Sequence, residues 1–193
     1  MYQCVGNVLT LLPALDTYTP FTLTVSNPTL PIDGWDVNAG GSLLYIGGVT
    51  KSYCPEGFIG PAKCPPGNIT VLRVSEYGSS RAGMDVTVPG GQAIYLDPFW
   101  SVAYERAHSA YVPPGSIKTG FAAYQGGGFV NLNGNGAGWV ACPPEASAEG
   151  DDNVWGLVGK NDTNAEGLKD CTSVNLKVHE LPRGQPTNAW QYA

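Results

Sequence analysis

His108 and His179 are the only histidines of this 193-residue chain. Any hydrolytic triad would need one of them as its base. His108 sits in "ERAHSAY", with Glu105 and Ser109 close by in sequence. Neighbours on a strand point to opposite faces, so adjacency builds no hydrogen-bonded pair, and no G-x-S-x-G elbow is present. Glycoside hydrolysis would need two carboxylates facing each other with pKa values driven apart. The chain has 16 Asp plus Glu, and nothing in their spacing singles out a pair. The acidic run "EGDDN" (149–153) lacks the spacing of a calcium loop, and "GNGAG" (134–138) reads as a hairpin turn and not as a phosphate loop. The sequence therefore assigns no catalytic residue, no metal and no cofactor.

The five cysteines, Cys4, Cys54, Cys64, Cys142 and Cys171, have no C-x2-C spacing and stand far from both histidines, which argues against a zinc site. Their placement predicts disulfides Cys54–Cys64 and Cys142–Cys171, each contributing about 3 kcal/mol by loop closure. Cys4 is left over, as a free thiol or as half of an intermolecular bridge that would make a dimer. Two N-glycosylation sequons follow, Asn68-Ile-Thr70 and Asn161-Asp-Thr163, both in Gly/Pro/Asn-rich stretches; Asn27-Pro-Thr29 is excluded by its proline. Disulfides together with sequons point to the secretory route. The chain opens "MYQCVGNVLTLLPALD", without a basic n-region or cleavage site, so Met1 reads as a start placed on a mature protein.

Aromatic side chains supply the remaining binding chemistry. Trp35, Trp139 and Trp155 lie within apolar runs and are expected in the core. Trp100 follows "DPF" at a hairpin tip and is the candidate face for a sugar, against the alternative of closing the hairpin inward. Asn133 and Asn135, in the turn "NGNG", are its candidate polar neighbours. The Q-x-W motif of ricin-type lectins is absent.

The elements that must hold these residues are short strands. "FTLTV" (21–25), "SLLYI" (42–46), "NITVLRV" (68–74), "GMDVTV" (83–88), "QAIYL" (92–96), "WSVAY" (100–104), "GFAAY" (120–124), "GFVNL" (128–132), "GWVAC" (138–142), "VWGLV" (154–158) and "SVNLKV" (173–178) are bounded by Gly, Pro and Asn. The best helical stretch, "NAEGLKD" (164–170), is at most one or two turns. "DVNAGGSLLYIGG" (36–48), "DVTVPGGQAIYLD" (85–97) and "YQGGGFVNLNG" (124–134) form a weak repeat, with Asp36 and Asp85 at equivalent places, which reads as turn chemistry before catalysis. Three such units predict an all-β, β-trefoil-like domain, with a β-sandwich as the alternative. Residues 1–181 read as one β-domain and 182–193 as an extended C-terminal tail.

Composition bounds the partners. Charged residues are 13% and the net charge is −6, which argues against nucleic acid and anionic membrane. No run of 18 apolar residues occurs.

The blocks "SYCPEGFIGPAKCPPGNITVL", "DVTVPGGQAIYLDP", "AHSAYVPPGS" and "GWVACPP" resemble fungal secreted IgE-binding proteins. The stretch from "FVNLNGNGAGWVACP" to "VWGLVGKNDTNAEGLKDCTSVNLKVHE" is similar to phialide-associated cell-wall proteins of filamentous fungi. The resemblance covers roughly residues 40–181 and implies secretion, wall or extracellular placement and, in some members, allergenicity; it implies no catalytic residues. Three functions are weighed: a non-enzymatic wall or matrix protein with weak glycan binding, a secreted effector or inhibitor that binds a host protein, and a carbohydrate-active enzyme with unidentified acids. Wall polysaccharide and a host protein are the partners these readings require.

Overall fold

Alternation of apolar and polar residues decides the strands. In "FTLTVS" the inward Phe21, Leu23 and Val25 are buried while their neighbours are half-exposed, and in "TSVNLKVHE" Val174, Leu176 and Val178 do the same. The computed structural model describes residues 2–5, 8–11, 14–15, 19–74, 80–131, 138–144, 153–160, 168 and 170–193, the backbone alone in 2–5 and 8–11.

A hairpin of β1 (Tyr2–Val5) and β2 (Val8–Leu11) opens the chain. There follow β3 (Phe21–Ser26), β4 (Val37–Gly40), β5 (Leu43–Gly47) and β6 (Ser52–Tyr53). One turn of helix, α1 (Glu56–Ile59), precedes β7 (Leu72–Val74), β8 (Ala82–Met84), β9 (Ile94–Leu96) and β10 (Val102–Tyr104). The chain continues through β11 (Phe121–Ala123), β12 (Phe129–Asn131), β13 (Gly138–Cys142), β14 (Val154–Lys160), β15 (Thr172–Glu180) and β16 (Gln191–Tyr192).

Ten of these strands form one antiparallel sheet. Its order is β8-β7-β3-β15-β13-β14-β5-β10-β9, with β4 paired to β5. The two ends of that order meet: Gly83 bridges Ala93, and Met84 N donates to Gln92 O at 2.9 Å. The sheet thus curls into a nearly closed barrel, which removes its exposed edges. The all-β class holds. The threefold arrangement is not seen among the described residues, because the three repeat units fold as hairpin turns in unlike places. The first is the β4–β5 hairpin within the sheet. The second, between β8 and β9, is where the sheet closes. The third, β11–β12, is a separate ribbon.

That ribbon packs onto the barrel and feeds it aromatics. Phe129 stacks on Phe121 at 5.7 Å and on Trp139 at 5.6 Å, and it tilts against Phe21 at 6.0 Å. Trp139 is buried as expected, and its Nε1 donates to Phe129 O at 2.6 Å. Trp35 and Trp155 are partly buried against the same core. Gly47 shows why a glycine pair ends β5: its φ is +78°, and a Cβ there would strike Asn153 O and the Trp35 ring.

Residues 182–193 turn at 183–184, bend at 188 and 190, and are seated in the domain. Ala189 is fully buried and bridges Val86, while β16 pairs with β6. Buried Gln92 holds this segment in place. Its Oε1 accepts from Tyr192 N (2.8 Å), and its Nε2 donates to Tyr192 O and Glu105 O (both 3.0 Å). Tyr192 OH in turn donates to Ile69 O (2.9 Å) and accepts from Val71 N (3.0 Å). Tyr104 OH donates to Ala193 O at 3.1 Å.

Two predictions follow from this closure. Gln92→Leu leaves the Tyr192 N–H and two buried carbonyls without partners, a loss of about 3 kcal/mol in urea unfolding. The second concerns alkali. Burial, the largest cause, holds the Tyr104 and Tyr192 hydroxyls protonated above the ordinary value of 10.0. The folded state then binds more protons than the unfolded chain, so stability falls as pH rises past 10, with Tyr104→Phe flattening the decline in pH-dependent melting.

Candidate functional site

The β9–β10 hairpin tip is built by Asp97. Its Oδ1 accepts from Phe99 N and from Ser101 N, both at 2.8 Å, and its carbonyl accepts from Trp100 N at 2.9 Å. These bonds lock the turn, with Trp100 in the left-handed region at φ +69°. Trp100 is half-buried and packs back on the core. Gly159 makes that possible: its N donates to Trp100 O at 2.8 Å, and a Cβ there would stand 3.0 Å from the indole ring. The exposed ring at this tip belongs to Phe99, at 83%. The sequence left Trp100 as a sugar face or as closing the hairpin inward; the ring packs inward, and nothing local shows that Gly159 on a distant strand opens a seat for the indole. Asn133 and Asn135, the expected polar neighbours, lie outside the described residues, as do Asn161 and most of 149–153 and 164–170.

The histidines are placed apart. His179, on β15, has Nε2 2.7 Å from Thr24 Oγ1 on β3. His108 is exposed in a turn with φ +61°. Ser109 Oγ accepts from Tyr111 N at 3.2 Å, and no triad geometry joins it to His108. Among the described residues no group of three or more His, Cys, Asp or Glu stands ready to share a metal ion.

A groove of about 570 Å³ opens at the other feature worth chemistry. One wall is the end of the disulfide loop, residues 62–66. The other is the C-terminal segment, Leu181, Pro182 and residues 185–188. Pro20, Ile69, Asp85 and Thr87 lie between them. The volume is in the range of small-molecule sites, ~300–1,000 Å³. Both walls are tethered. Cys54–Cys64 closes the loop, Gly67 N donates to Asn188 O at 2.6 Å, and the Thr87 and Thr187 hydroxyls bond each other. The second disulfide, Cys142–Cys171, ties the end of β13 to the start of β15.

Among the described residues Asp85 is the one carboxylate that lines this groove. It is 4% exposed, and Oδ1 lies 2.6 Å from Arg73 Nε. The contact is an ion pair. Burial raises the Asp85 pKa, and the Arg73 charge opposes that shift without cancelling it. Its repeat partner Asp36 is exposed, and only its backbone is engaged, the carbonyl accepting from Gly47 N. Turn chemistry was the expectation for both acids; the tertiary fold instead makes Asp85 a buried ion.

Asn68 is exposed beside the groove, whereas the sequon's Thr70 is 2% exposed. Cys4 lies in β1, where only the backbone is described.

With this geometry in view, the relatives are informative. The model of the PhiA-like secreted protein family matches residues 21–193. The chain is also 33% identical over 169 residues to an uncharacterized secreted protein of Arthroderma benhamiae, covering 83% of this chain and 79% of that one. The chain belongs to the PhiA-like secreted protein family. It is a secreted protein, and no described helix is long and apolar enough to cross a membrane. No solved structure matches it.

Removing Arg73 exposes the cost of the buried acid. Arg73→Ala should lose about 2 kcal/mol at pH 7, below the ~3–5 kcal/mol of a fully buried pair because Arg73 is 37% exposed. The loss should shrink as pH falls through the raised Asp85 range, where the acid becomes neutral; chemical denaturation at pH 7 and pH 4 measures both.

Proposed function

We propose that this protein is a non-enzymatic component of the fungal wall or extracellular matrix that contacts wall polysaccharide weakly. The observation that carries the reading is the tip 97–101, where a turn locked by Asp97 holds the Phe99 ring out to solvent. An exposed aromatic costs stability of solvation and gives the fold nothing, yet it offers a flat face on which the C–H side of a sugar ring stacks. Trp100 beneath it fixes the tip by packing on Gly159. A rigid tip loses little entropy on binding, and a single ring face supplies affinity near 1 mM, about 4 kcal/mol. Support for a non-enzymatic role comes from Asp85: a glycosidase needs two acids across its cleft, and among the described residues the groove has one, already paired with Arg73.

A second reading has its own observation. In the Cys54–Cys64 loop, α1 buries none of its residues, and Phe58 is 93% exposed. A disulfide-clamped loop presenting one bare ring suits insertion into a pocket of a host protein. Partner binding lost in Phe58→Ala and kept in Phe99→Ala would favour it.

The test is co-sedimentation with insoluble β-1,3-glucan and chitin, run beside an assay for released reducing ends. The expected result is weak retention that Phe99→Ala abolishes at unchanged Tm, with no sugar released. Turnover of either polymer, removed by changing one carboxylate, would overturn the non-enzymatic reading.

A further inference from the structure

We infer that the groove between the disulfide loop and the C-terminal segment is the seat of the protein's own N-glycan, and that the first N-acetylglucosamine on Asn68 lies along it. The first observation is position. Asn68 is exposed, and Pro66 before it and Ile69 after it both line the groove. A sugar attached there needs no diffusion to reach the site; its effective concentration is set by a one-residue tether.

The second is chemical fit. The first sugar of an N-glycan is β-linked and carries its ring substituents equatorially, so both ring faces are axial C–H and the polar groups project from the rim. The groove offers the matching pattern. Pro65, Pro66, Pro182 and Pro186 make apolar walls, while Gln185 and Asn188 supply amides at the edge. Asp85, paired with Arg73, places an acceptor at depth.

The third is the fate of the sequon's threonine. Thr70 Oγ1 accepts from Ala39 N at 2.8 Å and lies 2.8 Å from Thr50 Oγ1. Thr50 in turn donates to Asn38 Oδ1 at 2.7 Å, so Thr70 is the donor to Thr50. The hydroxyl of a residue 2% exposed, bonded on both sides, is unavailable to a transferase. Transfer, in which Asn68 Nδ2 bonds sugar C1, loses one proton and displaces a lipid pyrophosphate from that carbon, must precede folding. The wall at 181–188 then closes beside a sugar already in place. Thr70→Ala is therefore a poor way to remove the glycan, since it breaks this buried network as well.

Three forms test the proposal: protein secreted by a eukaryotic host, the same protein trimmed enzymatically to one N-acetylglucosamine, and Asn68→Gln. Intact mass reads occupancy of Asn68. The full and trimmed forms should melt together, with Asn68→Gln about 2–4 °C lower. Hydrogen exchange across 185–188 should be slower in the trimmed form than in Asn68→Gln. Gln185→Trp, an exposed position whose new ring fills the groove, should erase both differences. An unmodified Asn68, or equal exchange across 185–188 in the trimmed and Asn68→Gln forms, overturns the proposal. So does protection of 185–188 in Asn68→Gln by free laminarihexaose when the attached sugar gives none, which would hand the groove to wall polysaccharide. None of these outcomes depends on Phe99, so they stand apart from the polysaccharide test.

Discussion

The Gln92 side-chain amide is the joint on which the structure depends. Its backbone carbonyl receives Met84 N where the first and last strands of the sheet meet, and its side chain grips both polar backbone groups of Tyr192. A curled sheet with ten strands would otherwise present two raw edges. Here the edges meet, and the strand that the Gln92 side chain holds comes from the far end of the chain. The amide's two donors and its oxygen are all used, in a site 2% exposed. In so dry a place an unsatisfied group is costly, so the network forms completely or the closure fails.

Closure leaves the loops to carry function, as rigid scaffolds commonly do. The barrel wall is dense: Phe121, Phe129 and Trp139 stack in its interior, and β9 and β10 are buried along their whole length. Two places remain where chain is held rigid yet kept at the surface. The tip 97–101 is locked by one aspartate. The groove is locked by a disulfide and by the same C-terminal segment that Gln92 anchors. Stability and the geometry of the groove thus share one device.

Electrostatics in this molecule is local. The net charge is −6, yet the buried carboxylate that matters, Asp85, is governed by loss of water and by one arginine. Such a pair is a weak source of stability, because desolvation offsets most of the attraction. Its effect is to place a fixed acceptor among the proline and amide side chains that line the groove.

How much of this was legible in the chain differs by element. Periodicity of two marked β3 and β15, because a strand with one buried face must alternate whatever it pairs with, whereas β5 and β13 bury consecutive residues and were marked by short apolar runs between turn residues. The Cys54–Cys64 and Cys142–Cys171 links were legible because short loops leave few partners. The repeat announced three hairpin turns, which local Gly and Asn chemistry suffices to specify. It did not announce their arrangement. Strand order is a matter of which edges meet, and Val154 finds Gly47 through pairing that no local residue encodes. β6 and β16 escaped detection since two-residue strands have no period. The same divide separates the side chains. Trp100 and Asp85 looked like a surface ring and a turn acid by their neighbours in sequence. A glycine at position 159 and an arginine at position 73 gave them other roles, through contacts that exist only once distant strands lie side by side.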